Sequence, residues 1–134
     1  MNQIVNLKNK FFIYIVFIIF YAIFYLYIKH NVSNDSSISE WLINYHGGFT
    51  RRGLGGEVNI FLSNLLNLTL RQSIFIFQSF VHVLYLILFF KYIKDLKFNI
   101  VQVFALFTPI FLLYPIAEIE VLGRKEMMLF LFFI

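Results

Sequence analysis

Between Tyr45 and Glu57 the chain reads Tyr-His-Gly-Gly-Phe-Thr-Arg-Arg-Gly-Leu-Gly-Gly-Glu, and five of its six glycines fall inside those thirteen residues. Glycine lacks a Cβ, so it permits positive φ and close backbone approach, and successive amide N–H groups can then turn toward one anion. Arg51 and Arg52 stand in the middle of the run. Their planar forks donate paired hydrogen bonds to phosphate and keep their charge when partly desolvated. A helix opening at Glu57 would add the partial positive charge of its N-terminus. Arg51, Arg52, Gly53, Gly55 and Gly56 are therefore a candidate receptor for a phosphate or pyrophosphate group. The plainer alternative is that the arginines touch lipid headgroups while the glycines make turns. No strand precedes the run and no Gly-Lys-Ser/Thr ends it, so it is neither a dinucleotide-binding fingerprint nor a nucleotide-binding P-loop.

Two acids bracket this element, Glu40 and Glu57. A transferase needs a carboxylate to accept the proton of an attacking hydroxyl, and either could serve as the catalytic base. Each also has a structural alternative. Ser37-Ile38-Ser39-Glu40 fits a capping box, and Glu57 would compensate the dipole of the helix it opens. His46 is a further candidate base. A second polar segment, Pro115 to Glu126, carries Glu118, Glu120, Arg124 and Lys125. Folded against the first, it would set acids beside a cationic phosphate cradle; ordinary charges at a helix rim are the alternative. The chain has no Cys, which excludes disulfides and thiolate chemistry, and its three His are too far apart in sequence to suggest a metal cluster. No metal and no cofactor are expected.

The elements that must position these groups are apolar. The 134 residues are 60% hydrophobic and only 13% charged, with a mean hydropathy of +0.80, too little polar surface to cover a soluble globule. The fold class read from this is all-α, a polytopic helical membrane protein with one transmembrane domain over residues 1–134. Phe11–Ile28 has no charge over eighteen residues, about 27 Å of helix against a hydrocarbon thickness of roughly 30 Å. The runs 74–90 and 100–117 are also long enough to cross. Residues 127–134 are apolar but too short, so three spans and the start of a fourth are expected, as in the N-terminal part of a longer protein. No small-x-small cleavage site follows the first run, so it reads as a retained anchor rather than a signal peptide. The net charge of +4 comes from basic residues flanking apolar runs, which points to lipid headgroups and away from nucleic acid.

Lys8, Lys10, Lys91, Lys94 and Lys97 crowd two short segments beside the membrane, which places the N-terminus in the cytoplasm and the 29–73 loop outside. Within that loop a short helix is expected from the capping box through Trp41, stopped by Gly47-Gly48, with Trp41 and Tyr45 at interfacial depth. A second is expected from Glu57. Val58, Phe61, Leu62 and Leu65 form its apolar face and Asn59, Ser63 and Asn67 an opposite polar stripe, as for a helix lying on the membrane. Gln78 and His82 share one face of the 74–90 helix and should point into the bundle, where helix–helix hydrogen bonding is the ordinary role. Thr108-Pro109 predicts a kink in the third run.

The run Trp41-Leu42-Ile43-Asn44-Tyr45-His46-Gly47-Gly48-Phe49-Thr50-Arg51-Arg52-Gly53-Leu54, with Gly123-Arg124-Lys125-Glu126 downstream, resembles bacterial polytopic membrane proteins of surface-polysaccharide loci. Their layout is similar to that of C-type glycosyltransferases and O-antigen polymerases. The resemblance implies an inner-membrane location and a polyprenyl-phosphate-linked sugar as substrate, with membrane lipid and other membrane proteins as partners. It also implies a catalytic acid in the first outer loop. The Asp-Asp or Glu-Asp pair of the C-type pattern is missing, which leaves Glu40 and Glu57 in its place. A carrier or flippase of an anionic or lipid-linked solute, and a noncatalytic membrane subunit, are the competing readings.

Overall fold

The first apolar run forms one uninterrupted helix, α1 (Asn2–Asn31), longer than the charge-free core alone. No Gly or Pro interrupts it, and Lys29 and His30 in its last turn favour its C-terminus. This computed structural model describes residues 2–31, 36–49, 53–94, 101, 104 and 124–132. Four further helices follow: α2 (Ser36–Leu42), α3 (Leu54–Leu66), α4 (Leu70–Ile93) and α5 (Glu126–Phe132). The described residues contain no strand, in keeping with the all-helical expectation. The third run at 100–117 and its Thr108-Pro109 pair lie outside the described residues, apart from Val101 and Phe104.

α4 begins four residues before the apolar run that marks it. Thr69 is its N-cap: the Thr69 hydroxyl accepts from the Gln72 N–H (3.3 Å) and the Gln72 side-chain oxygen accepts from the Thr69 N–H (3.0 Å), a complete capping box. α1 and α4 pack antiparallel. Phe11 and Phe12 meet Phe90 at one end, and Tyr27 and His30 meet Phe75 at the other. The seam is a stripe at helical spacing, Phe11, Ile15, Ile18, Ala22 and Leu26, set against Val81, Tyr85, Leu86, Phe89 and Ile93.

The opposite face of α1 is just as apolar. Phe12, Phe17, Phe20, Phe24 and Tyr27 are each more than half exposed. A helix that is hydrophobic all round finds its partners in lipid or in other protein, not in water. α1 and α4 are both long and apolar enough to cross a membrane. α3, with thirteen residues, is about 20 Å long and is not.

α3 and α4 form a tight helical hairpin. Asn67 closes α3 in the left-handed conformation (φ 52°), Leu68 N–H reaches back to the Ser63 carbonyl (3.1 Å), and the Ser63 hydroxyl donates to the Leu68 carbonyl (2.7 Å). The orientation of α3 reverses the expectation drawn from its periodicity. Asn59, read as part of a solvent-facing polar stripe, is buried against α4, where the Ser73 hydroxyl donates to its carbonyl (2.9 Å). Phe61 and Leu65 point outward. The polar face binds the neighbouring helix because that neighbour offers a hydroxyl, which leaves the apolar face to the surroundings.

Candidate functional site

The glycine-rich segment splits into a turn and a helix start. α2 ends at Leu42, five residues before Gly47, so the Gly47-Gly48 pair does not stop it. The pair instead makes a turn closed by Gly48 N–H to the Tyr45 carbonyl (3.0 Å), with Gly48 at φ +116°. Trp41, read as an interfacial residue, is fully buried beside Ile38, Ile74 and Phe77.

Gly53, Gly55 and Gly56 do not form a nest with positive φ. Gly53 is the right-handed N-cap of α3 (φ −71°, ψ −25°), and Gly55 and Gly56 lie in the first helical turn. Their absence of side chains serves packing. A Cβ on Gly56 would run into the Ile43 carbonyl, with the carbonyl carbon 2.6 Å away, and a Cβ on Gly55 would lie 3.4 Å from the Trp41 ring and 3.3 Å from Lys125 Cε. The first intrahelical bond is donated by Glu57 to the Gly53 carbonyl (3.1 Å). The N–H groups of Leu54, Gly55 and Gly56 therefore precede the helical ladder, as at any helix start.

The two segments read separately in the sequence meet at this helix start. Lys125, one residue ahead of α5, is half-buried, with its ammonium 5.9 Å from the centre of the Trp41 ring. That distance is within reach of a cation–π contact. The same ammonium would be 3.5 Å from a Cβ on Gly55. Arg124 adjoins it, half-buried. A cation and a helix N-terminus thus converge on one small region, immediately after Arg51 and Arg52 in the chain. Arg51, Arg52, Glu118 and Glu120 lie outside the described residues.

Glu57 has a structural task. Its carboxylate accepts from the Tyr45 N–H (2.9 Å) and ties the Gly47-Gly48 turn to α3. Glu40 sits half-buried on α2, and His46 is exposed with its N–H donating to the Asn44 side chain (3.0 Å). Among the described residues no three His, Asp or Glu side chains gather as a metal site would need.

Two polar features escaped the sequence reading. His30, at the end of α1, donates from Nε2 to the Gln78 side-chain oxygen on α4 (2.8 Å). Its partner was recognised as a bundle-facing group, but a pairing across forty-eight residues leaves no local signal. The Thr69–Gln72 capping box did leave one, a Thr-x-x-Gln pattern ahead of an apolar run. His82, fully buried, donates from Nδ1 to the Gln78 backbone carbonyl (2.8 Å), and its Nε2 finds no partner among the described residues. No protein-family model, curated protein or solved structure matches the chain.

Proposed function

We propose that this chain is a multi-pass protein of the bacterial inner membrane that takes part in surface-polysaccharide assembly, as a transferase or polymerase acting on a polyprenyl-phosphate-linked sugar. The observation that carries the reading is the placement of Lys125 on Trp41 and Gly55 at the start of α3. A permanent cation beside a helix N-terminus is an electrostatic arrangement that an anion relieves. In this reading Arg51, Arg52 and Lys125 hold the phosphate or pyrophosphate, and Glu40 is the better base because Glu57 already holds the Tyr45 turn.

The fuller topology draws on connectivity. Lys94 lies at the far end of α4, a helix of 24 residues and about 36 Å. Lys125 is back at the loop end beside Trp41. A third crossing within residues 95–123 closes that gap, with α5 opening a fourth. The absence of native cysteine makes the orientation directly measurable. His46→Cys should react with a membrane-impermeant maleimide on intact cells and Lys94→Cys only after permeabilisation; the reverse pattern would invert the topology.

The activity is tested with the full chain in proteoliposomes, by binding of a polyprenyl phosphate and by sugar transfer from its glycosylated form. Lys125→Ala and the Arg51→Ala/Arg52→Ala pair should each weaken binding of the polyprenyl phosphate tenfold or more, roughly the value of one charge-assisted contact. Glu40→Gln should abolish transfer while sparing binding. Transport that persists in Glu40→Gln, with no transfer in the parent, would instead favour the carrier reading.

A further inference from the structure

At the loop end of the α1–α4 seam lies a cleft of about 270 Å³. α1 contributes Tyr27, His30 and Asn31, and α4 contributes Arg71, Gln72 and Phe75. It lies at the opposite end of the 29–73 loop from the glycine segment, and none of the roles assigned above uses it. Its chemistry is one-sided. Arg71 is the one formal charge among the described wall residues, and none of them is acidic. The buried His30 lies at the back, fixed by its bond to Gln78, and Tyr27 and Phe75 pack edge to face at 6.2 Å as apolar walls. A ligand that suits both a guanidinium and two rings is an amphiphilic anion.

The surface leading away from the cleft favours a lipid over a free anion. Tyr27 is the last member of an exposed stripe, Phe20, Phe24 and Tyr27, at i, i+4 and i+7 along α1. An acyl chain lying on that stripe would bring its headgroup to Arg71. The cleft volume falls just under the usual range of small-molecule pockets, roughly 300–1,000 Å³, which suits a phosphodiester headgroup and is too small for a glycosylated carrier. We infer that this cleft is a binding site for an anionic phospholipid, with the phosphodiester on Arg71 and the chain along Phe24 and Phe20. The inference rests on the membrane placement proposed above and is independent of any transferase activity.

The test uses the full chain in a neutral detergent, with thermal unfolding followed by the fluorescence of its single Trp. Phosphatidylglycerol should raise the unfolding midpoint saturably, whereas phosphatidylcholine and inorganic phosphate should not. Arg71→Gln should raise the half-saturating phosphatidylglycerol concentration about tenfold, and Tyr27→Ala about threefold. An unchanged titration in Arg71→Gln overturns the site, and inorganic phosphate matching phosphatidylglycerol overturns the lipid as its ligand. Should Arg71→Gln fail to fold, Tyr27→Ala decides in the same way. Alkaline carbonate extraction separates the two levels: release of the parent chain from membranes defeats the membrane placement and this site with it. Retention in membranes with an unchanged Arg71→Gln titration defeats the site alone.

Discussion

Gly47-Gly48 and Gly55-Gly56 are the same dipeptide eight residues apart, and the fold uses them for different physical properties of glycine. At Gly47 and Gly48 a Cβ would meet nothing within 4 Å, and what matters is the backbone angle, φ +116° at Gly48. At Gly55 and Gly56 the backbone is ordinary helix, and what matters is room. One pair makes a corner; the other lets a helix start touch the chain segment and side chains packed on it. Glycine density therefore reports a need for small residues without saying which need, and a phosphate nest is only one of several.

That contrast ranks four substitutions, read by thermal unfolding of the full chain in detergent. Gly56→Ala should be the most damaging, at about 3 kcal/mol, because the obstacle is the Ile43 backbone and cannot rotate away. A variant as stable as the parent would show that residues 43–44 do not rest on α3. Gly48→Ala should lose about 2 kcal/mol through φ strain alone, and Gly48→Asn should lose less. Gly55→Ala should lose about 1 kcal/mol or less, since its nearest neighbour is the flexible end of Lys125 and alanine's helix propensity offsets part of the crowding. Adding Lys125→Ala should remove most of that loss; if it does not, the two residues are not in contact. Gly47→Ala should stay within about 0.5 kcal/mol of the parent, as for an unconstrained surface position.

The two long apolar helices were legible because a run without charges over the thickness of a bilayer has few other uses, and α1 and α4 appear where those runs lie. Their ends were less so. α1 continues through Lys29 and His30, polar residues that an apolar-run criterion excludes, and α4 starts at a capping pattern overlooked in favour of hydropathy. For α3 the period was visible and the packed face was not. Periodicity divides a helix into two faces without saying which one meets protein, and a hydroxyl at Ser73 drew Asn59 inward. Of the candidate site, the residue types were readable, but the meeting of Lys125 with Trp41 depends on how distant segments return, which no local pattern encodes.

The His30–Gln78 hydrogen bond joins α1 to α4 at a single height along the seam. Sliding one helix past the other by a turn displaces it by about 5.4 Å. That movement would strand an imidazole and an amide in apolar surroundings, where a lost partner is not replaced by water. The bond thus works as a detent, making α1 and α4 a strut of fixed register. Any working stroke of this protein must then be taken by the elements hung on the loop end of that strut, the short α2 and the start of α5.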